Sequence, residues 1–346
     1  MSSTILVTGV SRHLGAAVAR RLADLPDVSR VIGLDVIHPG EELAGVEFVR
    51  ADIRNAVVGR MLEHAHVDTV VHLALSTAVT EGKARASQKE ANVIGTMQLL
   101  AACQATPRLR RIVLKSTCAV YGSSAHNPAL FTEEQTAPVS RAAGAVRDAL
   151  EVERYLWAAR RRRPDLASTT LRLAHVVGPH TGSRLLDYLR LPVVPVPLGF
   201  DARLQFLHED DAAEAIVTAA TGPMVGVVNV AGDGVISVRQ AAALTGRPYV
   251  ALPAQGGTLA SLLAKALGSS SIEQADLDFL RYGRVLDTTV ARERLGFTPR
   301  WSTRAAFLDA AEQFPPAVPA AASVRDWAVA LAAAVRGSVG ERREGP

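Results

Sequence analysis

The chain has 346 residues, of which 48% are hydrophobic and 21% charged. This balance excludes wholesale disorder and indicates one large folded domain with an additional lobe or tail. Lysine and arginine total 38 against 34 acidic residues, and their scatter along the chain favours a solvated surface over a nucleic-acid footprint. Only 5% of the residues are aromatic, too few for surfaces that stack single-stranded bases.

The cysteines and the hydropathy of the sequence predict the cellular compartment. The two cysteines, Cys103 and Cys118, offer no disulfide framework and suit a reducing environment. The N-terminus runs directly into a strand-like segment, and no uninterrupted apolar run reaches about 18 residues. We therefore expect a cytoplasmic protein with no membrane partner.

Short β-rich runs alternate with helical patterns through the first half of the chain. The predicted strands are mostly continuous apolar runs, as in strands covered on both faces: Thr4–Thr8, Arg30–Leu34, Val46–Val49, Thr69–Leu73, Arg111–Lys115 and Ser168–Leu173. The helical patterns between them are Leu14–Ala23, Ala56–His64, Ser87–Gln104 and Arg141–Arg163. Strands separated by helices require a parallel sheet with right-handed crossovers. The predicted fold is a doubly wound α/β sheet of the Rossmann type.

This regularity ends after Leu173. The proline-rich segment Leu191–Gly199 cannot form a central strand. The sequence predicts a dinucleotide-binding domain at 1–174, to which 205–231 returns, and a smaller substrate lobe at 175–204 and 232–314. Residues 315–346, with one helical pattern at Val324–Val335, form a C-terminal appendage.

The turn after the first strand carries a signal for nucleotide binding. It contains a run of candidate cofactor-binding residues, namely Thr8, Gly9, Arg12, His13, Leu14 and Gly15. Gly9 permits a tight turn, and Gly15 lets the helix pack on the strand with its N-terminus towards a pyrophosphate. The middle glycine of a dinucleotide-binding motif is replaced by Arg12 or His13. Arg12 offers a guanidinium to a phosphate instead.

Acidic residues follow the next two strands. Asp35 ends the second predicted strand 20 residues after Gly15, about where an acid accepts hydrogen bonds from an adenosine ribose. Val36 follows it where an arginine would suit NADP, so the sequence favours NAD. Asp52 and Ile53 come just after the third strand, over the expected adenine site. The alternative is a Rossmann-like scaffold whose pocket has closed.

Longer strings extend this pattern from Ser3 to Phe314. They are TGVSRHLG (Thr8–Gly15), ADIR (Ala51–Arg54), VVHLAL (Val70–Leu75), NVIGTMQLL (Asn92–Leu100), KSTCAVYG (Lys115–Gly122), LRLAHVVGP (Leu171–Pro179), RLQFLHEDDAAEAI (Arg203–Ile216) and DTTVARERLGFTPRW (Asp287–Trp301). With these motifs the chain resembles the extended short-chain dehydrogenase/reductase superfamily. Within it, the chain is similar to the NAD-dependent epimerase/dehydratase family. The resemblance implies an NAD-dependent activity on a nucleotide-activated sugar or similar polyol.

The resemblance also implies roles for residues that line the cofactor and an assembly. Leu73 and Ala74 would lie along the cofactor, and Asn92 would orient the pocket from its helix. The helices Ser87–Gln104 and Arg141–Arg163 would pair with those of a second copy in a four-helix bundle, giving a homodimer. An apolar stripe is compatible with that bundle and equally with packing on the sheet: Val93, Met97, Leu100 and Ala101.

Four further positions correspond to substrate-binding or catalytic positions of the family. Thr117 would hydrogen-bond the reacting hydroxyl, or else cap the end of its strand. Cys118, beside it, is a substrate contact or a buried inert thiol, the latter being favoured. His175 stands at a substrate-binding position, and Arg203 lies near an arginine that binds a sugar-nucleotide phosphate. A plain structural role is an equal alternative for these last two.

The catalytic pair of the family is missing. Its members place a Lys four residues after a Tyr, and alignment through Glu151 puts Ala143 and Arg147 at these positions. Tyr121 belongs to a structural motif, and Tyr-x-x-x-Lys occurs nowhere in the sequence. Arg147 offers a charge to the cofactor or to an anion, but it does not release a proton near neutral pH.

Two functional interpretations follow. In an enzyme, the catalytic residues would be Thr117, Arg147 and His175, with His175 as the first choice of proton acceptor because imidazole titrates near neutral pH. Cys118 or a water beside Ala143 are the other acceptors. The alternative is a non-catalytic NAD(H)-binding sensor or regulatory subunit.

Other chemistries have less support. The sequence contains neither a phosphate-binding P-loop nor a Gly-x-Ser-x-Gly nucleophile motif. His64 and His66 are two residues apart and do not share a helix face. The sequence therefore predicts no metal site.

Overall fold

A computed structural model describes residues 3–40, 42–76, 82–135, 142–253, 261–263 and 273–315. The predicted helix at Val324–Val335, all of the appendage after Pro315, and Arg141 lie outside these residues. Among the helices of the described ranges, none combines the length and the apolar character needed to cross a bilayer.

A seven-stranded parallel sheet forms the larger part of the molecule. Its strands are β1 (Ser3–Thr8), β2 (Val28–Asp35), β3 (Val46–Arg50), β4 (Thr69–His72), β5 (Arg111–Thr117), β6 (Ala167–Leu173) and β11 (Gly226–Val230). They lie in the order β11-β6-β5-β4-β1-β2-β3, and every neighbouring pair is parallel. The central strands are buried on both faces, which explains their continuous apolar sequences. The predicted doubly wound α/β class is confirmed.

Five helices cover the sheet: α1 (His13–Ala23), α2 (Val57–His64), α4 (Thr96–Ala105), α5 (Gly144–Arg162) and α7 (Glu209–Thr221). Helix α1 packs against α7, while α4 packs between α2 and α5. Helix α5 ends just before Arg163 and Pro164, as the proline predicts.

The predicted helix Ser87–Gln104 is interrupted in the structure. It consists of α3 (Gly82–Lys89), a π-helical turn (Glu90–Gly95) and α4. The hydroxyl of Thr96 donates to the Asn92 carbonyl at 2.6 Å, and a side chain at Gly95 would meet Ile53 at 2.7 Å. The wider turn places Asn92 inside the protein, which a regular helical pattern does not indicate.

A smaller lobe has its own hydrophobic core, which includes the stacked rings of Phe206 and Phe307. Its strands are β7 (His175–Val177), β8 (Val194–Pro197), β9 (Arg203–Leu204), β10 (Phe206–His208), β12 (Ile236–Ser237) and β13 (Tyr249–Leu252), and its helices are α6 (Arg184–Leu189), α8 (Val238–Leu244), α9 (Gln274–Tyr282) and α10 (Thr303–Ala311). A second π-helical turn covers Ala291–Leu295. The proline-rich β8 pairs with β13 outside the main sheet, as its composition requires.

Candidate functional site

Two glycines bring the first helix close to the carboxyl end of the sheet. Gly9 has a φ of +85° and donates its N–H to the Leu34 carbonyl at 3.0 Å. A side chain at Gly9 would lie 2.9 Å from the backbone nitrogen of Ala74, and one at Gly15 would overlap the Gly9 carbonyl. The positive end of α1 therefore lies directly behind this turn, in the geometry that binds a phosphate group.

Asp35 is joined to the same turn. Its Oδ2 accepts hydrogen bonds from the Ser11 backbone at 3.0 Å and the Ser11 hydroxyl at 2.6 Å, and its Oδ1 accepts from the Val36 N–H at 2.8 Å. A carboxylate has about four acceptor positions. The Ile37 N–H, 3.5 Å from Oδ1, takes the fourth position, so a ribose hydroxyl would have to displace one of these donors, such as the Ser11 hydroxyl.

Beneath the turn runs a buried column of polar side chains. The Thr8 hydroxyl lies 2.7 Å from His72 Nδ1, and His72 Nε2 lies 2.8 Å from the Thr96 hydroxyl. Burial lowers the pKa of His72 to about 4, so this imidazole is neutral at pH 7. Thr8 also accepts from the Leu73 N–H at 3.2 Å. Thr8 thus connects β1 to the end of β4, below the position predicted for the cofactor.

The predicted adenine-side residues are held by their neighbours. Arg54 donates to both oxygens of Asp52 and lowers the pKa of that carboxyl. Ile53 packs into the space left by Gly95. The loop after β3 is therefore fixed against the helix that carries Asn92.

Asn92 anchors the loop after β4 and the start of α5. Its side chain exchanges two hydrogen bonds with the Ser76 backbone and donates to Asp148 at 3.1 Å. Asp148 is fully buried and pairs with Arg85 through two contacts, at 2.7 and 2.8 Å. Arg85 also donates to the Gly144 carbonyl at 2.7 Å. The sequence did not identify Arg85 or Asp148, since the two lie 63 residues apart.

The positions of the missing Tyr and Lys lie at this start of α5. Ala143 is the exposed residue that precedes the helix, and its side chain caps no N–H. Arg147 has a side chain that is 54% exposed and pairs with Glu151, one turn further along, at 3.1 Å. A cofactor would have to draw Arg147 away from Glu151.

Thr117 and Cys118 occupy the end of β5. The Thr117 hydroxyl accepts the Ala119 N–H at 3.2 Å and caps a 3₁₀ turn over Cys118–Tyr121. Cys118 is buried, and Arg284 lies 3.5 Å from its sulfur. Arg284 also donates to the Gly122 carbonyl at 3.0 Å. No local pattern in the sequence indicates Arg284, which comes 166 residues after Cys118.

Under this end of the strand, Tyr121 belongs to a buried network. Its hydroxyl donates to Asn229 at 2.6 Å and accepts from Arg172 at 3.1 Å, while Arg172 pairs with Glu153 at 2.7 Å. Burial raises the pKa of Tyr121. Tyr121 therefore ties β5, β6 and β11 together, in keeping with the structural role predicted for its motif.

His175 is a weaker base than the sequence suggests. Its ring packs against Phe279, with centroids 4.8 Å apart, and its Nε2 is buried with no hydrogen-bond partner among the described residues. Burial, together with the charge of Arg284, lowers the pKa of His175 to about 3. The expectation that this imidazole titrates near neutral pH is wrong, because its charged form is poorly solvated here.

Arg203 lies at a cavity of about 230 Å³ between the two parts of the chain. It is exposed and donates to the Ala129 carbonyl at 3.0 Å. Arg284 and Tyr282 also line this cavity. A side chain at Gly283 would overlap the Arg203 backbone, so the glycine allows the two arginines to approach.

Lys115, like Arg284, is a cationic residue near the site that was not predicted from the sequence. It lies two residues before Thr117 in β5, and strand alternation puts both on one face of the sheet. Burial, with the charge of Arg12 nearby, lowers the pKa of Lys115 to about 8. The available signal was a lysine that directly follows the apolar run Ile112–Leu114.

The parallel sheet and its glycine turn define an α/β protein of the Rossmann type. Residues 5–231 match the family model described as the NAD dependent epimerase/dehydratase family. The chain belongs to this family, and the resemblance seen in the motifs is confirmed.

Relatives extend over most of the chain. A Mycobacterium tuberculosis protein of uncharacterised function, Rv0501, is 43% identical over 309 residues, which cover 88% of this chain and 82% of that protein. UDP-glucose 4-epimerase from Thermotoga maritima, solved with UDP-glucose, gives a TM-score of 0.68 at 21% identity and covers 90% of this chain and 98% of its own. UDP-glucuronic acid 4-epimerase from Bacillus cereus, solved with UDP-glucuronic acid and NAD, gives 0.66 at 18% identity, with 89% and 99% coverage. These two likenesses show the fold.

Proposed function

We propose that the protein binds NAD and acts on a nucleotide-activated sugar or a similar polyol. The observation that carries the proposal is the glycine turn against the N-terminus of α1, with Asp35 hydrogen-bonded to that turn through Ser11. Such an arrangement fits a dinucleotide, since it offers a phosphate site and a ribose acceptor side by side. The description of the family, and the NAD and nucleotide sugars bound by solved relatives, support the same assignment.

Different residues of this chain would contact different parts of the cofactor. We assign the pyrophosphate to the first turn of α1 and Arg12, the adenosine ribose to Asp35, and the adenine to the loop of Asp52 and Ile53. Leu73 and Ala74, beside Gly9, would line the nicotinamide end. NAD, when bound, supplies a hydride acceptor.

Proton transfer requires an unusual acceptor. Thr117 accepts one backbone N–H and still has its own O–H to orient a substrate hydroxyl. His175 is disfavoured by its low pKa, and Cys118 is buried against Arg284. Water in the space beside Ala143 is the acceptor we propose, with Arg147 holding an anion or oxyanion once it leaves Glu151.

The substrate side has a candidate phosphate site. Arg203 and Arg284 line one cavity of about 230 Å³, and guanidinium groups bind phosphate oxygens in a bidentate manner. We assign the phosphates of the nucleotide sugar to this cavity.

A non-catalytic NAD(H)-binding sensor or regulatory subunit is the second candidate. One observation favours it: Ala143 and Arg147 are both exposed, and Arg147 is paired with Glu151. In that case the cofactor turn would bind NAD with no turnover at the catalytic side.

We also propose a homodimer. The predicted apolar stripe does not lie on a single face. Val93 and Leu100 are buried, whereas Met97 is 40% exposed. Ile94 on the π-helical turn and Trp157 on α5 are 39% and 60% exposed, so apolar side chains remain on both helices of the expected interface. Light scattering should give twice the chain mass at micromolar concentration, and a monomer there would contradict the proposal.

The central experiment is release of nucleotide from the purified, heat-denatured full chain, read by mass spectrometry, followed by NAD titration of the stripped protein. We expect NAD or NADH. Failure both to release a nucleotide and to bind added NAD would show that the pocket has closed. Assays with UDP-glucose and UDP-galactose then distinguish the two candidate functions, because turnover is expected of an enzyme and not of a sensor.

A further inference from the structure

Three residues from distant parts of the sequence meet beside the N-termini of α1 and α7. His13 is the first residue of α1, Glu209 is the first residue of α7, and His180 lies in the loop after β7. One ligand atom from each lies within 4.8 Å of the other two. The sequence could not indicate this cluster, because the three residues share no local spacing.

The carboxylate of Glu209 is the centre of the cluster. Its Oε1 lies 2.7 Å from His180 Nδ1 and 3.6 Å from His13 Nε2. The two imidazole rings are stacked, with centroids 4.4 Å apart. A buried carboxylate is thus contacted by two imidazoles, and one protonated imidazole would suffice to form an ion pair with it.

The surroundings hold Glu209 in a fixed orientation. Its side chain is only 4% exposed, and its Oε2 accepts from the Thr181 hydroxyl at 2.6 Å and the His180 N–H at 3.2 Å. A side chain at Gly178 would overlap the carboxylate. Carboxylates that bind metal ions are oriented by hydrogen bonds of this kind from neighbouring groups.

We propose that His13, His180 and Glu209 bind a divalent transition-metal ion of the zinc class. Two imidazole nitrogens and one carboxylate oxygen form a ligand set that zinc accepts, with a fourth position left for water or a small anion. The His180 side chain is 59% exposed, so the ion can enter from solvent. Binding replaces the hydrogen bond between Glu209 Oε1 and His180 Nδ1, because both atoms then face the ion. His13 also belongs to the candidate cofactor turn, but the metal site rests only on these contacts and does not depend on the proposed function.

The test is calorimetric titration of the chelator-treated full chain with Zn²⁺, supported by the absorption spectrum of bound Co²⁺. We expect one ion per chain with micromolar or tighter affinity. His180→Ala and Glu209→Gln should each weaken binding at least tenfold. His64→Ala, which removes an exposed histidine on α2, is the matched control and should bind like the wild type.

Two results would overturn the site. The wild type could fail to bind one equivalent of Zn²⁺, which would leave the cluster as an ion pair only. Alternatively, His180→Ala could bind as tightly as the wild type, which would place the ion elsewhere. His180→Ala changes an exposed side chain, so it remains informative if Glu209→Gln does not fold. NAD titration of the same samples separates loss of the metal site from loss of the cofactor site.

Discussion

The cofactor side and the catalytic side of the candidate site are built differently. On the cofactor side, backbone packing at Gly9 and Gly15 and the Ser11–Asp35 contact hold the turn in place. On the catalytic side, Ala143 is exposed and Arg147 is paired with Glu151 at the surface. The backbone arrangement suited to a cofactor is therefore present without the side chains that the usual proton transfer needs.

The double variant Ala143→Tyr/Arg147→Lys tests this difference most strongly. A lysine and the oxidised nicotinamide would lower the pKa of the new tyrosine, so that it could accept a hydroxyl proton. A positioned general base contributes ~10²–10⁴ in rate. Interconversion of UDP-glucose and UDP-galactose should therefore rise by about that factor from an absent or very slow wild-type rate.

The matched control is Arg147→Lys alone, which supplies the lysine without the tyrosine base and should stay inactive. Wild-type turnover above ~1 s⁻¹, within the usual enzyme range, would show that the catalytic residues have been misplaced and that the two sides do not differ as described.

Two acidic residues of α5 allow a buried ion pair and an exposed ion pair to be compared within one helix. Asp148→Ala leaves Arg85 without its buried partner and should lower the free energy of unfolding by about 2–4 kcal/mol. Glu151→Ala removes the surface pairing with Arg147 and a weaker electrostatic attraction to Arg85, and it should change the free energy of unfolding by less than about 1 kcal/mol. Urea denaturation of both variants measures the contrast, and equal effects would contradict it.

On the cofactor side, Asp35→Ala should weaken NAD binding by more than tenfold, or about 1.4 kcal/mol, because the ribose loses its carboxylate acceptor. Asp24→Ala, at the exposed far end of α1, is the control and should leave the dissociation constant unchanged. Calorimetry or fluorescence titration checks both. An unaltered affinity in Asp35→Ala, or a preference for NADP in the wild type, would be inconsistent with this assignment.

Two histidines whose pKa values the fold lowers predict a smaller, pH-dependent effect. His72 and His175 have pKa values lowered to about 4 and about 3, so the unfolded chain binds protons near pH 6 that the folded chain does not. The stability they contribute is present above about pH 6.5 and falls as the pH drops towards these folded values. Between pH 6.5 and 5.5 each histidine should cost about 1 kcal/mol.

His175→Gln removes one of these groups. Its unfolding free energy, measured in urea at several pH values, should fall less steeply below pH 6.5 than that of the wild type. An identical slope in the two proteins would mean that His175 is not held neutral by the fold.

Much of the sheet could be predicted from the sequence because its strands are buried on both faces. The apolar run Thr4–Thr8 matches β1 within one residue, and Ser168–Leu173 matches β6 equally well. The helix Ser87–Gln104 was predicted less well, because the π-helical turn depends on a side chain–carbonyl contact at Thr96 and on packing against Ile53. Local periodicity carries no information about such contacts.

The site could be predicted only where its residues share a local motif. Gly9, Gly15 and Asp35 follow from strand–turn–helix spacing, and their predicted positions at the carboxyl edge agree with the structure. Arg284 and Glu209 approach their partners through the tertiary fold alone. The pKa of His175 depends on burial against Phe279, which no spacing reveals.

The clamp between Arg85 and Asp148 has a consequence for how such a site can change over time. It fixes the first turn of α5 from the inside, while positions 143 and 147 face outwards and contribute little to its placement. Mutations at these two positions should therefore change the free energy of unfolding little, so the residues there can be exchanged without loss of the fold. The same independence makes the chain a suitable starting point for introducing new acid–base chemistry in the laboratory.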